Sequence, residues 1–517
     1  MADKKDSHRQ KDGLANRRRF LQWATSAGLA SIAPGTVTAI ADVKEKKAGS
    51  DTTASGQPTS DVNITHATEL PKTQKRVEQY NNGADSKAFY QRALAEQLRR
   101  NPGKKEFDLV VTTIGEATTV ETNRYGRTVN GWKPTSNELA TLGEYGDIGY
   151  VPEFSSTDVV LRNVARRDLP RIAAAEFVLS INIEGRTRVN GCGDSDCNSG
   201  IGVDSLRSTS YFSFDTVDSD YTVDSNVRVG VIDTGYDGSK SCYESSYAAD
   251  IGIDENLAKD FTGSGTWNED EYSHGTHVAD TIAYMLGTNK GHSNLFVPLR
   301  ANESSNDDRI ANVKQATEYA LKNDIEVINN SLALYLGDST GSTDYCPQKI
   351  CAEHDAYTNA GYLPFATAGN DGYENKVDIP GGSWLTIGVG GIDQGSCSGN
   401  DYSRDSASDY APNFDYTQCS YCDYYANSGS APTVYGAYHT ATDASGSHLC
   451  GTSFASPQAA AAGVIMVSND QYSYVDSRQI FEEMNTYTIC PDDAAKRGQL
   501  IDAYHAWNQT SSDPNPM

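Results

Sequence analysis

Short apolar runs alternate with helical patterns over residues 205–508. The predicted strands are short apolar runs bounded by polar residues or glycine: 227–233, 294–299, 325–331, 362–368 and 384–390. The predicted helices are longer segments with apolar positions at helical spacing: 275–286, 309–322, 348–361 and 454–468. This alternation predicts an α/β fold with a mostly parallel central sheet and helices on both faces.

A smaller set of elements precedes this region. Helical spacing covers 88–100, strands are predicted at 107–113 and 177–183, and a strand running into a helix is predicted over 159–175. These elements predict a small α+β domain over 81–200. Residues 393–449 are rich in Ser, Tyr, Asp and Gly with little periodicity, which predicts long surface loops.

Three polar side chains stand where predicted elements begin or end. Asp233 closes the first strand of the larger region, and His274 immediately precedes an apolar helix. Ser453 lies between Gly451 and an alanine-rich helix, next to backbone N–H groups that have no partner within the helix. Strand ends and helix starts share one edge of such a sheet, so we expect the three side chains to lie together.

The segments around these residues resemble known signatures. They read D-T-G at 233–235, H-G-T-H-V-A at 274–279 and G-T-S-F-A-S-P at 451–457. The subtilisin-like serine proteases, or subtilases, have D-T-G, H-G-T-H-V-A and G-T-S-x-A-x-P in the same order. A fourth segment, T-A-G-N at 367–370, is similar to the A-A-G-N of that family. The resemblance spans about residues 205 to 508 and implies the subtilisin-like fold for 201–517.

The resemblance implies roles for four residues. Ser453 would attack the peptide carbonyl after His274 removes its proton, and Asp233 would orient His274. Asn370 would donate its side-chain amide to the oxygen of the tetrahedral intermediate, together with the Ser453 backbone N–H. This is the chemistry of a serine endopeptidase that acts on protein or peptide substrates through an acyl-enzyme. No cofactor is required for the chemistry.

Other interpretations of the same residues remain open. A zinc-binding helix places two histidines four residues apart with a glutamate between them, whereas His274 and His277 are three apart, so a metal pair is disfavoured. A subtilase fold used only for binding is one alternative, and an esterase with the same triad is another. Relatives often hold structural Ca²⁺, which Asp-rich loops could bind here, but the sequence identifies no ligands.

Several positions depart from the family pattern. Asp280, Asn330 and Thr367 stand where the family commonly has glycine, methionine and alanine. The segment 333–337 reads A-L-Y-L-G where the family is usually glycine-rich. None of these positions belongs to the predicted triad, but the last leaves substrate preference open.

Charge is unevenly distributed along the chain. It has 69 acidic and 43 basic side chains, and residues 201–517 hold 44 of the acids but only 15 of the bases. Nucleic acid is disfavoured as a partner because its phosphates would be repelled. Self-repulsion destabilises a compact fold unless salt screens it, and the screening length falls to about 3 Å at 1 M. We expect adaptation to molar salt, with an acidic mesophilic secreted protein as the alternative.

Residues 1–41 have the features of an export signal. The run Arg17-Arg18-Arg19-Phe20-Leu21 resembles a twin-arginine motif, and the mildly apolar stretch after it is too polar for a membrane anchor. We expect a secreted monomer with no membrane contact after signal removal. Residues 42–80 are polar with few large apolar groups, which predicts a flexible linker.

Residues 164–183 distantly resemble the end of a subtilase propeptide. The resemblance implies that 81–200 assists folding of the enzyme and blocks its cleft as an intramolecular inhibitor, with an accessory domain as the alternative. The maturation site would lie between about 184 and 215.

Ten cysteines are more than a cytosolic enzyme of this size would carry, which predicts disulfide bonds in an oxidising space. Cys419 and Cys422 form a single C-x-x-C, for which a bridged loop is favoured over a redox or zinc site. Cys450 lies three residues before Ser453, where a bridge could brace the turn that carries the serine.

Overall fold

The computed structural model describes most of the chain from residue 92 to residue 468 and short segments on either side. The described residues are 62–63, 89–90, 92–189, 201–202, 214–217, 222–241, 252–287, 291–303, 308–335, 352–372, 377–382, 386–394, 402–404, 406–409, 411–414, 429–431, 434–441, 448–468, 486–487, 498–503 and 506. The predicted export signal lies outside them, as do all the cysteines except Cys450.

The described elements fall into an N-terminal and a C-terminal region. Those of the N-terminal region, residues 62–189, are β1 (Val62–Asn63), β2 (Phe89–Tyr90), α1 (Arg92–Arg100), β3 (Glu106–Thr113), β4 (Glu116–Glu121), β5 (Thr128–Lys133), α2 (Ser136–Leu142), β6 (Asp147–Tyr150), β7 (Asp158–Ala165), α3 (Leu169–Ala174), β8 (Val178–Ile183) and β9 (Arg186–Val189). Those of the C-terminal region, residues 201–506, are β10 (Ile201–Gly202), α4 (Phe214–Val217), β11 (Val229–Asp233), β12 (Lys259–Asp260), α5 (His274–Leu286), β13 (Phe296–Arg300), β14 (Asp308–Arg309), α6 (Ile310–Lys322), β15 (Val327–Asn330), β16 (Leu332–Tyr335), α7 (Ala352–Asn359), β17 (Leu363–Thr367), β18 (Ile387–Gln394), β19 (Tyr402–Arg404), β20 (Ala411–Phe414), β21 (Gly429–Ala431), β22 (Val434–Ala437), β23 (His439–Ala441), β24 (His448–Cys450), α8 (Thr452–Ser468), β25 (Thr486–Tyr487) and β26 (Gly498–Leu500).

A ten-stranded sheet forms the centre of the C-terminal region. Its order is β12-β13-β11-β15-β17-β18-β22-β26-β25, with β19 paired to β18, and neighbours from β12 to β26 run parallel. Helices α5 and α8 share one apolar core with the sheet, and α6 and α7 share another. The predicted α/β fold with helices on both faces is therefore confirmed.

Helix α8 is buried along almost its whole length. Every residue from Thr452 to Val467 is buried, including Pro457 and four consecutive alanines. A helix that is apolar all round belongs inside a protein, and small side chains let it approach the sheet closely. Gly463 illustrates this approach, since a Cβ there would lie 2.6 Å from the ring of Phe365. The start of α8 is thereby held at the edge of the sheet.

The N-terminal region contains a five-stranded sheet in the order β2-β8-β3-β7-β6. Its strands β3, β7 and β8 match the apolar runs in the sequence. The predicted helix at 88–100 is shorter than expected, because Phe89–Tyr90 pairs with β8 as a strand. Val62–Asn63, within the predicted linker, pairs with β5.

The prediction of long surface loops over 393–449 is wrong for part of that range. Val434–Ala437 is a buried strand of the central sheet, paired with β18 on one side and β26 on the other. Its apolar run is too short and too closely surrounded by polar residues to be detected from periodicity.

The two regions join through an apolar contact and a buried acid. Val129 and Phe154 of the N-terminal region belong to the same core cluster as α6 and α7. Beside them, Glu318 on α6 accepts hydrogen bonds from the backbone N–H groups of residues 153–155, each at 3.0 Å, and from the Tyr150 hydroxyl at 2.8 Å. One carboxylate thus accepts hydrogen bonds from three consecutive backbone N–H groups of the N-terminal region.

Lys314, also on α6, is fully buried at this joint. Its Nζ lies 2.7 Å from Glu353 of α7 and 3.4 Å from Asp158 of the N-terminal region. Burial by itself would lower the pKa of Lys314, but the two carboxylates outweigh burial and raise it. Removing one member of a buried ion pair typically costs about 3–5 kcal/mol, so this cluster ties the regions together.

A second acidic pair lies at the end of α6. Asp324 accepts hydrogen bonds from the backbone N–H groups of Arg124 and Tyr125 and from Arg127 Nε, at 3.0–3.2 Å. Glu326 accepts from the Tyr125 hydroxyl at 2.7 Å and lies 3.4 Å from Arg124.

Within the described residues, no helix is sufficiently long and apolar to cross a membrane.

The pKa of Glu326 generates a prediction for stability. Burial raises this pKa to about 7 against the opposing effects of Arg124 and Tyr125, so the folded protein binds a proton more tightly than the unfolded chain. The contribution of Glu326 to the free energy of unfolding is therefore fully present below the unfolded pKa of 4.5 and falls as pH rises through about 7, by up to about 1.4 kcal/mol per pH unit. Urea unfolding between pH 5 and pH 8 measures it.

Glu326→Gln should make the free energy of unfolding less dependent on pH in this window. The exposed Glu255 provides the matched control, because Glu255→Gln should leave the slope unchanged. An unaltered slope in Glu326→Gln would mean that Glu326 titrates equally in the folded and unfolded states.

Candidate active site

Asp233 is the last residue of β11 and is completely buried. Its Oδ1 accepts a hydrogen bond from the Thr234 N–H at 2.8 Å. The chain then turns at Gly235, which has φ +117. A Cβ at Gly235 would lie 2.1 Å from the carbonyl oxygen of Glu269, so only glycine fits this close approach. The strand end thereby delivers the carboxylate into the interior.

His274 is the first residue of α5 and contacts Asp233 directly. Its Nδ1 lies 2.7 Å from Asp233 Oδ1. An ionised carboxylate can only accept, so Nδ1 carries a proton, and Nε2 of a neutral ring then presents its lone pair. Nε2 is buried and has no hydrogen-bond partner among the described residues. The base predicted from the sequence is thus oriented by the predicted acid.

Ser453 is the second residue of α8 and is completely buried. Its hydroxyl donates to the carbonyl oxygen of Ser331 at 3.0 Å, and the Ser331 hydroxyl donates to the carbonyl oxygen of Ser453 at 2.8 Å. These reciprocal bonds tie the helix start to the segment between β15 and β16. The ring of Phe454 lies 5.4 Å from that of His274, centroid to centroid. The imidazole and the start of α8 are therefore neighbours.

Asn370 follows β17 at the same edge of the sheet. Its Oδ1 accepts from the Thr452 N–H at 2.9 Å and from the Thr452 hydroxyl at 2.8 Å. The Thr367 hydroxyl in turn bonds to that of Thr452. Because the amide oxygen of Asn370 bonds to Thr452, the amide nitrogen lies on the side of the amide group away from Thr452.

The structure thus joins the four predicted residues as two pairs. Asp233 and His274 are hydrogen-bonded, whereas Asn370 and Ser453 are linked through Thr452, which precedes the serine. Sequence reasoning did not identify Thr452 or Ser331 as partners of the site. Thr452 stands in the G-T-S signature, so its position was visible, but its bond to Asn370 depends on the meeting of two distant segments.

A strand of the N-terminal region also reaches this edge. β9 pairs antiparallel with β16, with Arg186 opposite Tyr335 and Val189 opposite Leu332. Its start pairs with β14 on the other side. The strand therefore runs toward Ser331, the acceptor of the Ser453 hydroxyl bond. Sequence analysis missed β9, because its alternating charged residues have no apolar run.

Three carboxylates lie close together near Gly369 and Asn370. Asp371, Asp378 and Asp409 have oxygens within 4.8 Å of one another. A Cβ on Gly369 would lie 2.3 Å from Asp409 Oδ2 and 2.8 Å from Asp378 Oδ2. Their donor type suits a hard cation such as Ca²⁺, but Ca²⁺ takes six to eight oxygens and three carboxylates alone do not complete its shell. Structural calcium therefore stays a prediction.

His277 lies one turn along α5 and is buried. Among the described residues, the group of three aspartates is the one cluster with metal-binding geometry, and it does not include His274 or His277.

The sequence of this chain is similar to known proteins. The sequence model of the subtilase family matches residues 224–497. Subtilisin DY of Bacillus licheniformis is 27% identical over 269 residues, which are 50% of this chain and 83% of that protein. Subtilisin of Bacillus pumilus is 28% identical over 275 residues, with 51% and 85% covered.

Two solved structures have a similar fold. Fervidolysin from Fervidobacterium pennivorans, a keratinolytic enzyme related to subtilisin, superposes with a TM-score of 0.52 at 14% identity. The match covers 78% of this chain but 61% of fervidolysin. A mutant of the epidermin leader peptide processing serine protease from Staphylococcus aureus gives a TM-score of 0.51 at 15% identity, with 78% and 100% covered.

The contact between Asp233 and His274 requires glycine at position 275. A Cβ there would lie 2.3 Å from the Gly235 carbonyl oxygen and 3.1 Å from Asp233 Cβ. Gly275→Ala should push α5 away from β11 and lower kcat for a peptide substrate by roughly 10²-fold, the cost of about 1 Å of misplacement. Steady-state kinetics measures this.

Gly238→Ala is the matched control. Its added Cβ would meet Tyr236 at 3.6 Å, an ordinary contact, so activity should persist. Full activity of Gly275→Ala would mean that the spacing of α5 and β11 does not limit catalysis.

Proposed function

The chain belongs to the subtilase family of serine endopeptidases, and we propose that it cleaves peptide bonds with Ser453 as nucleophile, His274 as general base and Asp233 as the residue that orients the base. The observation that carries this assignment is the 2.7 Å hydrogen bond between Asp233 and His274, at the sheet edge where Ser453 lies in the first turn of α8.

The first step is proton transfer from Ser453. In the resting arrangement the hydroxyl donates to Ser331, so it has to rotate toward Nε2 of His274 before it attacks the carbonyl carbon. Nε2 accepts the proton as the new C–O bond forms. Asp233 stabilises the imidazolium through its bond to Nδ1. The proton then passes to the leaving amine, and water hydrolyses the acyl-enzyme by the same route in reverse.

Asn370 is assigned to the tetrahedral intermediate. Thr452 holds the amide oxygen through two hydrogen bonds, so the orientation of the amide is set before substrate arrives. Preorganised donors of this kind need no reorganisation as negative charge develops on the substrate oxygen. The Ser453 backbone N–H, at the start of α8, is the second donor.

We infer that the N-terminal region is a propeptide that blocks the cleft. Support comes from β9, which adds to the edge of β16 as an extended peptide substrate would. The strand runs toward Ser331 and hence toward Ser453, so the bond that is cleaved should lie within a few residues after Val189. The buried acids of α6 and α7 would hold the region in place until then.

Export and disulfide formation complete the proposal. The twin-arginine-like segment supports secretion as a preproprotein. Cys450 is disulfide-bonded and buried next to Tyr438, which supports the predicted brace before Ser453. Structural Ca²⁺ at Asp371, Asp378 and Asp409 would stabilise the loop after Asn370 without entering the reaction.

Ser453→Ala should abolish hydrolysis of casein and prevent maturation. Without its nucleophile the chain should remain uncleaved after Val189, whereas the wild type should yield a mature form that begins shortly beyond that residue. Gel analysis and N-terminal sequencing of the secreted protein measure maturation, and an ester substrate assayed in parallel separates peptidase from esterase.

Ser456→Ala is the matched control, since Ser456 lies on the same helix, is equally buried and bonds to Asn329 at 2.7 Å. It should mature and hydrolyse casein. Hydrolysis by purified Ser453→Ala would refute the proposed mechanism, and an inactive, uncleaved wild type would favour a binding role for the fold.

Salt dependence tests the proposed adaptation to brine. The excess of acidic over basic side chains in residues 201–517 should cause repulsion that molar salt screens. We expect activity to fall when the mature enzyme is dialysed from about 3 M to about 50 mM NaCl, with loss of near-ultraviolet circular dichroism. Full activity after prolonged dialysis would contradict the adaptation and leave the triad untouched.

A further inference from the structure

Asp270 is a buried carboxylate that the mechanism above does not use. It lies four residues before His274, and 2% of its surface is exposed. Its Oδ1 accepts from the Thr234 hydroxyl at 2.8 Å. Its Oδ2 accepts from the Thr276 N–H at 2.8 Å and from the Thr276 hydroxyl at 2.6 Å. The Asp270 side chain therefore joins Thr234, the residue after Asp233, to Thr276 in the first turn of α5. We call these three hydrogen bonds the clamp.

The Thr234 hydroxyl has a defined direction. It accepts from the Gly275 N–H at 2.9 Å, and its single proton can point to Asp270 at 2.8 Å or to Asp233 Oδ1 at 3.3 Å. The shorter contact assigns the proton to Asp270. Asp233 Oδ1 is then left to the Thr234 N–H and the His274 ring, so Asp270 prevents the threonine from competing for that oxygen.

Asp270 also replaces the usual cap of α5. The N-cap residue Ser273 has φ 62 and makes no side-chain capping bond. The N–H that such a cap would satisfy belongs to Thr276, and Asp270 accepts it. A cap alone would account for the two bonds to Thr276. It would not account for the bond to Thr234, which lies on the other segment of the site.

We propose that Asp270 is a positioning residue for catalysis, which sets the approach of His274 to Asp233 and adds a buried negative charge that favours the imidazolium. The proposal rests on the triad assigned above. Within the described residues, the charged groups next to Asp270 include Asp233 and His274, which it reaches through Thr234 and Gly275. They also include Lys240, whose Nζ bonds to the Asp270 carbonyl, and Asp237, whose N–H donates to the Thr276 hydroxyl. Glu269 and Glu271 are its neighbours in the chain.

Asp270→Asn tests both parts of the proposal. The amide keeps the shape but loses the charge and cannot accept on both sides, so kcat should fall at least about tenfold with KM within about twofold. The acidic limb of the kcat/KM profile should move to lower pH, because the imidazolium loses an attracting charge. Rates are referred to active sites titrated with a fluorophosphonate, which excludes unfolded protein.

Two further variants keep the test decisive. Thr276→Val removes a hydroxyl of the clamp but leaves the charge, so kcat should fall several-fold with the acidic limb unmoved. Asp254→Asn changes another buried carboxylate, paired with Arg228 at 3.1 Å, and should lower thermal stability without moving kcat or the limb. If Asp270→Asn fails to fold, Thr276→Val alone tests the clamp.

Wild-type kcat and an unmoved acidic limb in Asp270→Asn, with only a lower melting temperature, would reduce Asp270 to a helix cap. Wild-type kcat in Thr276→Val would overturn the clamp. Failure of the triad itself is distinguished from both, because it would appear as hydrolysis by Ser453→Ala.

Discussion

The burial of helix α8 is the constraint on which the site depends. An apolar helix with alanines on its inner turns can approach the sheet closely, and that approach holds its first residues against the ends of β15 and β17. Ser453 then meets Ser331, and Thr452 meets Asn370. The second helix of the same core, α5, brings His274 to the end of β11. Packing therefore brings the candidate site residues to one edge of the sheet, and hydrogen bonds orient their side chains there.

Buried charge is used in two different ways. At the joint between the regions, Glu318 accepts from backbone N–H groups of the N-terminal region, and Lys314 pairs with Asp158 of that region. In the site, Asp233 and Asp270 divide the available donors, so that the oxygen facing His274 is not shared with a threonine hydroxyl. In both places the partners of the buried charges come from several segments of the chain.

The sequence was sufficient for elements whose burial is continuous and apolar. Strands β11, β15 and β17 and helices α5, α6 and α8 lie within a few residues of their predicted bounds, because each has an apolar pattern with a clear end. Strand β9 could not be predicted, since it has charged residues and is ordered by pairing with β16. The four candidate site residues were visible from signatures, whereas the direction of the Ser453 hydroxyl depends on Ser331, 122 positions away.

The most direct test of the account is to find which serine reacts. The matured protein would be treated at high salt with a fluorophosphonate, digested and analysed by tandem mass spectrometry. We expect a single modified residue, Ser453, and loss of this label in Asp233→Ala, whose imidazole is no longer oriented. A preparation that hydrolyses peptides while Ser453 stays unmodified, or that is labelled at Ser331 or Ser456 instead, would contradict it.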